Sequence, residues 1–179
     1  MDEQLIIAGF GGQGVQLMGQ LLTQAGMKED KFVSFLPSYG PEMRGGTTNC
    51  NVVISDEPVA SPIVGEASCA MVLNLPSLLK FEKAVVPGGV LIVNTSLCDK
   101  AVERDDIKVI NIPANDIAIE LGNIRVVNMI MLGAYLEATK AVSKDTVMDC
   151  LKETFGPRRE HLLPINSTAM DEGAKIARA

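Results

Sequence analysis

Leu5-Ile6-Ile7-Ala8-Gly9-Phe10-Gly11-Gly12-Gln13-Gly14-Val15 decides the fold class of this chain. Residues 5–8 are apolar without alternation, the pattern of a strand covered on both faces. The glycines make a tight turn, after which Val15, Met18, Leu22 and Ala25 recur at helical spacing. Strand, glycine turn and helix form the opening unit of an α/β domain. A helix start of this kind also lets backbone N–H groups approach an anion at the positive end of the helix dipole.

The rest of the chain repeats the alternation. Further short apolar runs at 32–36, 50–54, 70–73, 90–93 and 109–112 read as strands. A short helix opens at Leu75-Pro76 and ends near Val85, another covers 116–121, and three more follow at 124–139, 144–155 and 158–177. Pro164 should kink or break the last, because it removes a backbone donor. Pro87-Gly88-Gly89 and Gly156-Pro157 read as turns. The expected architecture is α/β: a mostly parallel sheet with flanking helices, a Rossmann-like three-layer single domain over residues 1–179. Residues 124–136 are apolar nearly all round, which means either a central core helix or a surface for a protein partner.

Composition narrows the function classes. The 179 residues carry 16 basic and 22 acidic side chains, a net charge of −6. Such a surface repels nucleic acid and anionic lipid. Residues 4–27 carry no charge, but six glycines and five glutamines argue against a membrane span, and Asp2 and Glu3 against a signal peptide. A cytoplasmic location is expected. Cys50, Cys69, Cys98 and Cys150 are widely separated, with none of the close pairs that iron–sulfur and zinc sites use; free buried thiols are the simplest reading.

Gly9-Phe10-Gly11-Gly12-Gln13-Gly14 sits where a dinucleotide fingerprint would, but the second strand ends Phe35-Leu36-Pro37-Ser38-Tyr39, without the carboxylate that holds a ribose. The glycines could instead serve close strand–helix packing. The polar stretch 39–48 is a long loop at the carboxyl edge of the sheet, where open α/β folds bind ligands. It holds Arg44 between glycines, a guanidinium suited to a phosphate, a carboxylate or a partner chain. The chain has no P-loop, nucleophile elbow or HExxH motif, and its one histidine, His161, lies in a charged run.

Three segments together resemble the gamma subunit of 2-oxoacid:ferredoxin oxidoreductases: Gly9 to Val15, Tyr39-Gly40-Pro41-Glu42-Met43-Arg44-Gly45-Gly46, and Asn128-Met129-Ile130-Met131-Leu132-Gly133-Ala134. The form Pro37 to Thr47, followed by Asn49-Cys50, is most similar to the 2-oxoglutarate branch, with branched-chain enzymes close behind. The resemblance implies a complex that oxidatively decarboxylates a 2-oxoacid to an acyl-CoA. Thiamine diphosphate, Mg and iron–sulfur clusters would sit on sister subunits (alpha, beta and a ferredoxin-like delta), with electrons leaving to ferredoxin. It further implies no catalytic residue or metal on this chain, and coenzyme A as a substrate at a shared site. Carried over, the coenzyme A positions fall on Gly11, Gly12, Gln13, Gly14 and Arg44. A methyl group added at Gly12 is then expected to weaken coenzyme A binding without loss of stability. The isolated chain is expected to self-associate. The alternative is a free-standing nucleotide-binding Rossmann-like oxidoreductase.

Overall fold

The computed structural model describes residues 1–39 and 46–179. All six expected strands form, as β1 (Asp2–Phe10), β2 (Phe32–Tyr39), β3 (Thr47–Ser55), β4 (Ala67–Val72), β5 (Val85–Asn94) and β6 (Lys108–Ile112). They join one sheet in the order β2-β3-β1-β4-β5-β6. The β1–β4, β4–β5 and β5–β6 pairs are parallel, as the alternation predicts. β3 departs from this, pairing antiparallel with both β1 and β2. The physical reason is the connection: the loop expected over 39–48 gives up Tyr39, Thr47 and Thr48 to the strands, and the seven residues left between β2 and β3 are too few for the crossover that a parallel pair needs.

The helices are α1 (Val15–Lys28), α2 (Leu75–Phe81), α3 (Ala114–Glu120), α4 (Val127–Thr139), α5 (Lys144–Phe155) and α6 (Leu163–Arg178). One face of the sheet packs a large core of Leu5, Ile7, Met18, Leu22, Met71 and Ile92 against α1 and α4. The other face holds a smaller core of Ile6, Val53, Val64, Ala70, Leu78 and Val93, roofed by α2 and irregular chain carrying Val59 and Cys98. Three layers therefore result, with unequal outer ones.

Details follow from local chemistry. Pro164 breaks the expected C-terminal helix, as its missing donor requires: a 3₁₀ segment, Pro157–Leu162, precedes α6, and the proline sits in the first turn of α6, where no N–H is needed. Pro87-Gly88-Gly89 lies inside β5 rather than in a turn between elements; the pairing with β4 shifts register there, and Gly88 takes a left-handed φ of 81°. Residues 127–136 of α4 are all buried, so the apolar helix is a central core helix of this chain. It crosses α6 at two facing glycines: a Cβ on Gly133 would overlap the Met170 backbone, and one on Gly173 the Ile130 carbonyl. The four cysteines are free and buried. Burial pushes the Cys50 thiol up to about 12 and the Cys98 thiol to about 11, so neither ionises at neutral pH. No helix among the described residues is long and apolar enough to cross a membrane.

Candidate functional site

The site is built at the carboxyl ends of β1 and β4, around residues 9–14. β1 runs to Phe10, and α1 begins at Val15 with Gly14 as its N-cap. Gly12 and Gly14 take left-handed φ values of 91° and 78°, which a side chain would strain. Gly9 serves packing: a Cβ there would press on Gln13, Leu73 and Val15. Gly14 is close-packed as well, against Asn128, whereas a Cβ on Gly12 would meet open space.

The loop is braced from within. The Phe10 N–H donates to Gln13 Oε1 at 2.6 Å, and the Gln13 N–H donates to the Phe10 carbonyl at 3.2 Å. Asn74, which caps α2 by accepting from the Ser77 N–H at 2.9 Å, also donates to Gln13 Oε1 at 3.4 Å. Gly11 donates its N–H to the Gly46 carbonyl at 3.0 Å, tying the loop to the start of β3. Gln13 thus turns its oxygen inward as a brace, and the Gly11 donor is already used.

What remains open is the start of α1. Gly14 supplies no side-chain cap, and the first turn of α1 holds no acidic residue. The positive end of a 14-residue helix is therefore left without an anion of its own. Two clefts flank it. One, of about 440 Å³, is lined by Gly11, Gly12, Val15, Leu17, Tyr39 and Thr47. Its side wall is fixed by Gln16, whose Nε2 donates to Thr48 Oγ1 at 2.8 Å and to the Asn49 carbonyl at 3.0 Å. The other, of about 420 Å³, is lined by Gly12, Gln13, Gly14, Asn115, Arg125 and Asn128.

Gly11, Gly12, Gln13 and Gly14 are thus brought together at the clefts, and Tyr39 and Gly46, which flank residues 40–45, reach the same place. Arg44 lies outside the described residues. Sequence reasoning missed Arg125, an exposed guanidinium on the short 3₁₀ turn that leads into α4. It also missed the role of Asn128, whose side chain packs where a Gly14 Cβ would be. The available signal was an asparagine opening an otherwise apolar helix. His161 is exposed in the 3₁₀ segment before α6, remote in sequence from these elements.

The arrangement suits a phosphorylated ligand and disfavours a dinucleotide site of the usual kind. There, the strand after the first helix lies beside β1 and presents a ribose-binding carboxylate. Here β3 stands between β1 and β2, and β2 ends in Ser38-Tyr39.

Comparison with known proteins places the chain in its family. It matches the family described as Pyruvate ferredoxin/flavodoxin oxidoreductase over residues 4–176. It is 38% identical over 173 residues to the ketoisovalerate oxidoreductase subunit VorA of Methanothermobacter marburgensis, an alignment covering 96% of this chain and 36% of VorA. It is 36% identical over 167 residues to the 2-oxoglutarate synthase subunit KorC of the same organism, covering 89% of this chain and 90% of KorC. The chain thus spans about a third of the length of the VorA relatives that it matches. Among solved structures, the gamma subunit of the keto/oxoacid ferredoxin oxidoreductase of Geobacter sulfurreducens is 26% identical, with a TM-score of 0.83 and 98% of each chain covered. The chain belongs to the pyruvate ferredoxin/flavodoxin oxidoreductase family, as a gamma-type member of the 2-oxoacid:ferredoxin oxidoreductases.

Proposed function

We propose that this chain is the gamma subunit of a 2-oxoacid:ferredoxin oxidoreductase complex and lends its glycine loop to the coenzyme A site. The observation that carries the reading is the uncapped start of α1, set between two clefts with Arg125 at one of them. Backbone N–H groups at Gly12 and Gly14 and the helix dipole favour a phosphate there, and a guanidinium adds a charge-assisted hydrogen bond. Arg44 is the second candidate cation, since both ends of its segment reach the loop. Val15, Leu17 and Tyr39 offer an apolar wall for the uncharged part of the ligand. The part of this chain in this reading is to bind and orient.

Thiamine diphosphate with Mg, and the iron–sulfur clusters, belong on alpha, beta and delta sister subunits in this reading. They supply the decarboxylation and the electron path to ferredoxin. The substrate is a 2-oxoacid, with 2-oxoglutarate favoured by the form of residues 37–50. A branched-chain 2-oxoacid is the second reading, because the identity to VorA equals or exceeds that to KorC. The test is reconstitution with alpha, beta and delta sister subunits. Coenzyme A-dependent ferredoxin reduction should require this chain, and rates with 2-oxoglutarate, 3-methyl-2-oxobutanoate and pyruvate assign the substrate. Full activity of the other subunits without it would overturn the reading, as would dehydrogenase activity of the lone chain with a nicotinamide cofactor.

A further inference from the structure

At the opposite end of the sheet from the glycine loop lies a groove of about 760 Å³, formed by the amino end of β1, the end of β3 and the irregular segment 57–66. Its floor is apolar. Val64 plugs the smaller core at 7% exposure, whereas its neighbour Ile63 stands out at 67%. Val59 packs beneath, and Val53 and Pro58 also line the groove. Pro58 and Pro62 stiffen the segment, and the Ser55 and Ser61 hydroxyls pin it by accepting the Glu57 and Ile63 N–H groups, each at 3.1 Å. An isoleucine this exposed on a stiffened segment is preorganised for contact.

Its rim is acidic. Asp2, Glu57 and Glu66 line the groove, and none forms an ion pair with a described residue. Two cations close by in the chain, the Met1 ammonium and Lys31, both pair with Asp56. That pairing holds the Asp56 carboxyl at about 2, so Asp56 stays ionised. Two cations on one carboxylate leave one excess positive charge, so with Asp2, Glu57 and Glu66 the rim carries a net charge of −2 around an apolar floor. A second copy of this chain would bring the same acidic rim against itself, at a cost in like-charge repulsion.

We infer that this groove docks a sister subunit of the same complex through a basic segment with an aliphatic side chain, its lysine or arginine groups meeting Asp2, Glu57 and Glu66 while the aliphatic group covers Ile63 and Val59. The inference rests on the proposed subunit role but concerns a surface at the far end of the sheet from the coenzyme A clefts. In such an interface the buried aliphatic anchor sets the lifetime of the complex, and the rim charges set the rate and salt dependence of encounter.

The experiment is assembly of co-expressed wild-type and variant subunits, followed by light scattering and by association kinetics from low to high salt. Ile63→Asp should weaken assembly about tenfold or more. Glu57→Lys with Glu66→Lys should slow association several-fold and flatten its salt dependence. The circular dichroism and thermal midpoint of each isolated variant should match wild type, since the changed side chains are exposed. Wild-type assembly with both variants assembling equally well would overturn the groove while leaving the subunit role intact. Failure of the wild type itself to assemble would overturn both.

Discussion

Glu3→Gln should stabilise this protein at neutral pH. Glu3 sits on β1 with only 9% of its surface exposed, on the side of the strand that meets α4. No cation pairs with it among the described residues; its Oε1 and the buried Tyr135 hydroxyl on α4 lie near each other without closing a well-formed hydrogen bond. Burial raises the carboxyl pKa above 4.5, and the nearby Ser68 and Tyr135 hydroxyls offset only part of that rise. Because the folded pKa is raised, the native state binds more protons than the unfolded chain between pH 4.5 and the folded value. Stability then falls as pH rises through that window. An unsatisfied buried charged acceptor costs about 1–3 kcal/mol or somewhat more. The amide removes the charge and supplies a donor for Tyr135. We expect a gain of about 2 kcal/mol at pH 7, or roughly 4–8 °C in Tm for a chain of this size. The gain should vanish below about pH 4.5, where the carboxyl is neutral in both states. Asp56 and Glu137, each held at about 2 by paired cations, lose their contributions at still lower pH in both proteins and cancel in the difference. Urea unfolding across pH 4 to 8 measures this directly. A variant equal to or weaker than wild type at pH 7 would show that the carboxylate is satisfied in the native state and refute the argument.

In the reconstituted complex, Arg125→Ala and Arg44→Ala should each raise the apparent KM for coenzyme A by about tenfold, the low end for a charge-assisted contact. Half-reactions without coenzyme A should be spared, and added salt should shrink the difference; an unchanged KM for both would remove the cations from the site. Gly12→Ala meets open space but a φ of 91°, so it should lower Tm by a few degrees instead of leaving stability untouched; an unchanged Tm would mean that the loop relaxes. Isolated chain should self-associate at high concentration, with Phe32 and Leu36 exposed on β2 as candidate contacts; light scattering that reports a clean monomer would count against a large exposed interface.

The six strands were legible because each apolar run is short and bounded by turn residues, although β2, at the sheet edge, buries none of its residues fully, and the break at Pro164 followed from a missing donor. The helix at 127–139 was legible as apolar, but its apolarity could not say whether protein or partner covers it; packing against α6 decides that through Gly133 and Gly173. Strand order was not legible. β3 enters between β1 and β2 because a short hairpin link forces it back antiparallel, and local patterning carries no record of which edge it joins. The glycine loop was found from Gly9 to Gly14, yet the division of labour within it depends on φ at Gly12 and Gly14 and on the inward turn of Gln13. Arg125 escaped for a different reason: its place beside Gly14 comes from the meeting of two helix starts far apart in the chain.

The crossing of α4 and α6 also bears on how the chain is made. During synthesis α4, buried along almost its whole length in the finished fold, is produced before α6. Until α6 arrives, the side of α4 that it will cover remains bare, an exposed apolar surface of the sort that makes nascent chains prone to aggregate. Gly133 and Gly173 let the two backbones touch, so that surface is covered by α6 itself and not by long side chains reaching across. On the ribosome, α4 must therefore wait for the last element of the domain before it is fully covered.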